Sequence, residues 1–178
     1  VSISGNTWVD ANVFRPLHGI EKDFDLISIA AWTHYKRHWA LFRAVARMRA
    51  MGRTPRLALV GYPLELTTTD ILAQARLFEI DDLIEIFERL TPTEVNTVLN
   101  RSKVHVLWSR REGVNRAIIE AMAAGVPNVV RHGFNYGYHY PYINDYTGKF
   151  ATEQDLPNVL IDMIDNYQLY STRDYVLS

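Results

Sequence analysis

The chain has 178 residues, no cysteine, 48% apolar residues and nearly balanced charge, 19 basic against 20 acidic. That length suits one domain with a substantial core. The charge balance gives nucleic-acid binding no support, and the lack of cysteine excludes disulfides, thiol chemistry and the common zinc frameworks. No apolar run approaches the roughly 18 residues of a membrane span, and no signal peptide stands at the start. The composition is that of an ordinary soluble globular domain and fits a cytoplasmic location. Val1 in place of a methionine points to a fragment or an excised domain.

Residues 1–24 read as irregular, with turn signals at Ser4-Gly5-Asn6 and Arg15-Pro16. From residue 25 onward the pattern alternates. Leu26 to Ala31 is a short, continuous apolar run, as expected of a strand buried on both faces. Lys36 to Met51 reads as a helix, with Leu41, Ala44, Val45 and Met48 on one face and Arg43 and Arg47 on another; Gly52 stops it. Leu57 to Gly61 is a second buried strand, Thr69 to Phe78 a helix, and Leu83 to Phe87 a third strand. Thr91-Pro92-Thr93-Glu94 opens the next helix as a capping box with proline just inside it. Val104 to Trp108 is a fourth strand, followed by a helix carrying Glu120. Asn128 to Arg131 is a fifth strand, Thr147 to Phe150 a short sixth, and Leu156 to Tyr167 a last helix. Strands and helices that alternate through short links imply α/β architecture: a doubly wound parallel sheet, a Rossmann-like three-layer sandwich. In such sheets ligands bind at the carboxyl ends of the strands, near the point where strand order reverses.

One of those strand-end loops carries the most informative segment, Arg111 to Pro127. Glu112 and Glu120 stand eight positions apart. Gly113 follows the first, an alanine-rich helix surrounds the second, and Gly125-Val126-Pro127 ends that helix. The free backbone amides at a helix start favour an anion, most naturally a phosphate. Glu112 at the mouth can accept hydrogen bonds from sugar hydroxyls. Glu120, two turns on, can accept both hydroxyls of a ribose diol. The bare spacing is weak evidence; its setting in Glu-Gly and Glu-Ala-Met-Ala-Ala-Gly-Val-Pro is far more specific.

That segment resembles the signature of retaining glycosyltransferases with the two-domain GT-B fold, specifically family 4, the group 1 type. Val9 to Pro16 resembles the family's linker into its second domain, Leu57 to Gly61 its strand ending in Val-Gly, and Asn144 to Gly148 its short turn ending in glycine. The resemblance covers essentially the whole chain, but only the donor-binding half of such an enzyme. It implies an interdomain linker over residues 1–24, a nucleotide-sugar-binding domain over residues 25–178, and an acceptor-binding first domain that is absent. It also implies roles. Glu112 contacts the donor sugar and Glu120 the ribose. Gly113, Val114, Asn115 and Arg116 form the turn whose amides hold the diphosphate. Lys36, matching the family's lysine after the first strand, neutralises the diphosphate, so that no metal and no cofactor is expected beyond the nucleotide-diphosphate sugar itself. Phe87 and Glu88 stand where the nucleobase lodges. Synthesis of a polysaccharide or glycoconjugate, at most with peripheral contact at the inner membrane face, is the corresponding expectation.

The chain departs from the family pattern at three places. Ala31 stands where the family has an arginine, a charge that Arg37 can replace. Asn115 stands in place of a glycine, and Arg116 in place of a small or apolar residue. These departures keep a second reading open, a non-catalytic binding or assembly module derived from such an enzyme. A dinucleotide-dependent oxidoreductase would need a Gly-x-Gly-x-x-Gly turn after the first strand, and Ala30 to Tyr35 has no glycine. Outside the motif, the loop from Arg131 to Tyr140 alternates aromatics and histidines with glycines, either as a lid or saccharide platform or as a cover for the end of the sheet. Its two histidines lack a carboxylate or cysteine partner at metal-ligand spacing. Arg43, Arg47, Arg49 and Arg53 read as a solvated helix face, His34 and His105 as loop and strand residues, and Trp108 as packing.

Overall fold

The computed structural model describes residues 9–133 and 140–178. Six strands form one parallel sheet: β1 (Phe24–Ile29), β2 (Leu57–Gly61), β3 (Ile84–Glu88), β4 (Ser102–Leu107), β5 (Asn128–Arg131) and β6 (Gly148–Ala151). Their order is β3-β2-β1-β4-β5-β6. The helices are α1 (His38–Ala50), α2 (Thr68–Leu77), α3 (Pro92–Asn100), α4 (Arg116–Ala123), α5 (Leu156–Asn166) and α6 (Thr172–Leu177). The α/β fold class read from the alternating pattern is the one found.

Side chains alternate across each strand, so the sheet feeds two cores. Leu26, Leu57, Leu59, Val104 and Val106 point to one face, where Leu41, Phe42, Val45 and Met48 of α1, Ile71 of α2 and Leu160 and Met163 of α5 cover them. Ile27, Ala58, Val60, Leu107 and Val130 point to the other, under Val98 and Leu99 of α3 and Ile118 and Met122 of α4. Burial on both faces is why the central strands read as unbroken apolar runs. Each fully buried leucine or isoleucine contributes about 1.5–3 kcal/mol.

Several boundaries differ from the sequence reading for local reasons. β1 starts at Phe24, because Phe24 already pairs with Ser102 of β4, and it ends at Ile29. α1 begins at His38 rather than Lys36. His34–Lys36 forms a separate 3-10 turn, and Arg37 then takes a left-handed conformation (φ 56°), breaking the helix before it can start. α2 and α3 start on capping boxes, Thr67 with Asp70 and Thr91 with Glu94. β6 is shifted by one residue to Gly148–Ala151.

α6 has no counterpart in the sequence reading. Thr172 Oγ donates to Met122 O (3.0 Å), and Arg173 donates to Phe14 O (3.0 Å) and Ala123 O (2.5 Å). The segment it grips, read as linker, belongs to the second core: Val9 and Phe14 are buried there, and Asn96 and Asn100 of α3 accept from the amides of Arg15 and Leu17. The Ser4-Gly5-Asn6 turn and most of the aromatic loop, Phe134 to His139, lie outside the described residues.

Candidate functional site

The sheet changes winding direction between β1 and β4. The chain leaving β1 enters α1 on one face, and the chain leaving β4 enters α4 on the other. A crevice therefore opens above their carboxyl ends. The β1 side is anchored by Trp32, which is fully buried. Its amide donates to Tyr62 O (2.8 Å), its carbonyl accepts from Glu65 and Leu66 (3.1 and 2.9 Å), and its indole donates to Thr68 Oγ (3.2 Å). Gly61 makes this possible, since a Cβ there would stand 2.1 Å from Ala30 O and 2.7 Å from the Trp32 ring.

Beyond that anchor the 3-10 turn presents Lys36, whose ammonium forms an ion pair with Glu112 Oε1 from the loop after β4. Both side chains are about a tenth exposed, at 11% and 10%. Ser109, fully buried, donates its hydroxyl to the same carboxylate oxygen. The second oxygen, Oε2, has no hydrogen bond among the described residues. Tyr35 braces the arrangement. Its carbonyl accepts from Arg110 N (2.6 Å), and its ring lies 5.3 Å from the Lys36 ammonium and 5.5 Å from the Arg111 guanidinium.

α4 starts beside Glu112. Asn115 is its cap, with the side-chain oxygen accepting from Ile118 N (3.2 Å). The amides of Asn115, Arg116 and Ala117 have no partner among the described residues. These donors and the helix dipole make the turn attractive to an anion. Gly113 has open space where a Cβ would stand, and its carbonyl accepts from the buried Tyr140 hydroxyl (2.6 Å). Val114 is 38% exposed at the tip. Glu120, one turn into α4, is held above the ordinary carboxylate range by burial, against the opposing pull of Arg116. The Arg116 guanidinium reaches it at 3.5 Å from a largely exposed position.

The remaining sequence-selected residues are placed as follows. Arg37 pairs with Glu153, just before α5; Arg43 joins the same carboxylate (2.5 Å), and Arg47 donates to the carbonyls of Glu153 and Gln154 (3.3 and 3.2 Å). The basic face of α1 is exposed to solvent, as read from the sequence, and its arginines also make surface contacts: Arg43 and Arg47 reach the β6–α5 turn, and Arg49 and Arg53 pair with Asp82 and Asp165. Phe87 packs edge-on against Phe24, centroids 5.8 Å apart. Glu88 is exposed, and its carboxylate accepts from Thr68 Oγ (2.6 Å), which completes a chain from the Trp32 indole to the end of β3. Trp108 is packed. His105 lies in β4 with Nδ1 2.7 Å from Asn128 Oδ1, and burial depresses it to about 4.

Sequence reasoning assigned no role to Ser109, Glu153 or Thr68, and gave Tyr140 only a place in the aromatic loop. Ser109 alone had a local cue, three residues before Glu112. The other three reach their partners only through the tertiary fold. Among the described residues, no group of three or more histidines and carboxylates could hold a metal, and no helix is long and apolar enough to cross a membrane.

Comparison with known proteins bears on the family and the fold. The profile of the glycosyl transferases group 1 family matches residues 10–169. A GDP-mannose:cellobiosyl-diphosphopolyprenol alpha-mannosyltransferase of Komagataeibacter xylinus is 29% identical over 101 residues, 57% of this chain and 26% of its own length. Among solved structures, the C-terminal domain of a glycosyl transferase group 1 family protein (LpcC) of Francisella tularensis superposes with a TM-score of 0.76 at 16% identity, covering 95% of this chain and 96% of that domain. HepE of Anabaena, solved in complex with UDP, gives 0.74 at 17% identity over 94% of this chain and 49% of its own. The chain thus spans about a quarter of the curated relative and about half of HepE, but nearly all of the isolated C-terminal domain.

Proposed function

Because the chain belongs to the glycosyl transferases group 1 family, we propose that it is the donor-binding half of an enzyme that transfers a sugar from a nucleotide-diphosphate sugar to an acceptor with retention of configuration. The observation that carries this is the Glu112 carboxylate. One oxygen is held by Lys36 and Ser109, and among the described residues the other is open and unpartnered amides stand beside it at the start of α4. The open oxygen accepts from a hydroxyl of the donor sugar. The amides of Asn115, Arg116 and Ala117, with Gly113 and Val114 forming the turn, hold the diphosphate. The Lys36 ammonium lies within reach of the same group and stabilises the charge that develops on it as the glycosidic bond breaks. Glu120 exchanges its contact with Arg116 for the ribose diol. Phe87 and Glu88 flank the nucleobase. On this reading Arg37 supports the site through Glu153 and α5 rather than by touching the diphosphate.

No metal is required in this scheme, since the cation is a side chain. Acceptor binding falls to a domain that the longer relatives possess beyond the stretch matched here, so the 178 residues alone bind donor without turnover. The product belongs to polysaccharide or glycoconjugate synthesis, in the cytoplasm or at its membrane face. GDP-mannose is the first donor to try, because the 29% identical relative bears it in its name. The test is calorimetry of the folded chain with UDP, GDP, ADP and their sugars. Saturable binding of at least one, lost in Glu120→Ala, supports the proposal; no binding of any overturns it.

A further inference from the structure

At the end of the sheet away from the candidate site, just before β1, Lys22 differs from every other lysine of the chain. There are four, and three of them pair with a carboxylate: Lys36 with Glu112, Lys103 with Asp25 (2.7 Å) and Lys149 with Asp162 (2.6 Å). Lys22 has no ion pair among the described residues. The aspartates that follow it are taken: Asp23 accepts from Nε and Nη2 of Arg101 (3.0 and 2.6 Å), and Asp25 is the partner of Lys103. The Lys22 ammonium instead donates to the backbone carbonyl of Ser102 (2.8 Å), the fully buried first residue of β4. It lies 6.0 Å from the centre of the Tyr167 ring, in the 3-10 turn after α5 (Tyr167–Leu169). Lys22 as a whole is half-buried. An ammonium so placed has exchanged water for one carbonyl and an aromatic ring, with no opposite charge to compensate. Burial accordingly pushes it down to about 8. Roughly a tenth of it is then free amine at pH 7, against less than about one part in a thousand for an ordinary lysine. Desolvation of this kind is what turns a lysine into a nucleophile.

We propose that Lys22, held between Ser102 O and the Tyr167 ring with no carboxylate of its own, is an acylation site that takes a small acyl group from an activated donor, an acyl phosphate or an acyl thioester. The ammonium first releases a proton to solvent. The amine lone pair then attacks the acyl carbon. A C–N bond forms, the C–O bond to phosphate or the C–S bond to thiolate breaks, and a second proton leaves the nitrogen for solvent. The product is a neutral amide that keeps one N–H. That N–H continues to serve Ser102 O, the desolvated charge is gone, and the Tyr167 ring offers the acyl group an apolar surface. Acylation of Lys103 or Lys149 would strand the carboxylate of Asp25 or Asp162; at Lys22 it strands none. The folded chain therefore singles out Lys22 among its lysines and is not weakened by the modification. None of this depends on the transferase reading.

The experiment incubates the 178-residue chain with acetyl phosphate and, separately, with acetyl-CoA across a pH series, and follows each lysine by peptide mass spectrometry. In the folded chain Lys22 should be acetylated about tenfold faster than Lys103 and Lys149, with a rate that levels off above about pH 8. In urea the four lysines should react alike. Lys22→Arg should remove the fast label and leave the slower ones unchanged. A chain carrying Nε-acetyllysine at position 22 alone, installed during synthesis, should unfold at the same urea concentration as the unmodified chain or at a higher one. Fast labelling by one donor only supports the site and identifies the source of the acyl group. Labelling of Lys22 no faster than that of Lys103 and Lys149 with both donors overturns the proposal. So does a Lys22 rate still rising steeply above about pH 9, as for an ordinary lysine, or a lowered urea midpoint once position 22 is acetylated.

Discussion

Lys36 and Glu112, 76 positions apart in sequence, form a nearly buried ion pair across the line where the sheet reverses its winding. Removing one partner of such a pair leaves the other desolvated and unmatched, which costs more than the pair contributes. Lys36→Met should destabilise the chain by about 2–3 kcal/mol, and Lys36→Met with Glu112→Gln by less than the sum of the two single changes. Urea unfolding of the four proteins checks this. Lys36→Met should also weaken nucleoside diphosphate binding about tenfold or more, the contribution of a charge-assisted hydrogen bond.

Glu120 is predicted to cost stability for the sake of binding. Burial raises its pKa, so between the ordinary carboxylate value and the raised one the folded chain holds more protons than the unfolded chain. Stability from this group therefore falls as pH rises through that window and stays reduced above it. Glu120→Gln should stabilise the chain at neutral pH by about 1 kcal/mol at most, read as a raised melting temperature, while donor binding drops. Unchanged stability at pH 7 would refute the account.

The two buried histidines should make the domain acid-labile. His38 lies between Trp32 and Phe42 with both ring nitrogens unpartnered among the described residues, and burial, then the charge of Lys36, depresses it to about 4; His105 is depressed to the same value. Here the unfolded chain holds more protons between pH 6.5 and about 4. Stability is then complete above 6.5 and is lost as pH falls toward 4, on the order of 3 kcal/mol per histidine. His38→Phe forfeits no hydrogen bond and should flatten this dependence, as read by urea midpoints at pH 7 and pH 5.

Gly61→Ala tests the anchoring of the β1 loop. The added Cβ meets backbone oxygen and the indole of a fully buried tryptophan, so Trp32 must shift. A loss of about 1–3 kcal/mol is expected, together with altered Trp fluorescence. Weaker nucleobase binding should follow, because the Trp32–Thr68–Glu88 chain is displaced.

The sequence carried the sheet and the two glutamates because both are written locally. Strands buried on both faces are continuous apolar runs, as in Leu57 to Val60, and a helix start announces itself by caps, as at Thr91 and Glu94. The start of α1 was misread because nothing in Lys36-Arg37-His38 signals that Arg37 adopts a left-handed conformation. The exposure of the α1 arginines is legible from the helix periodicity, but the contact of Arg43 and Arg47 with Glu153 is not, because that residue lies more than a hundred positions away. Lys36 could be placed near the site from its family position, but its pairing with Glu112 depends on β1 and β4 becoming neighbours, a fact of strand order alone.

That strand order also dictates when the site can exist. β1 and β4 sit side by side in the centre of the sheet, yet β2 and β3 are made between them. A chain emerging in sequence order holds Lys36 in waiting until Glu112 has been synthesised and β4 has docked alongside β1. Parallel pairing over such separations is slow relative to local contacts. Nucleotide capture during refolding should therefore lag behind helix formation and report the closure of the central sheet, which makes the ligand a clock for the docking of β4 alongside β1.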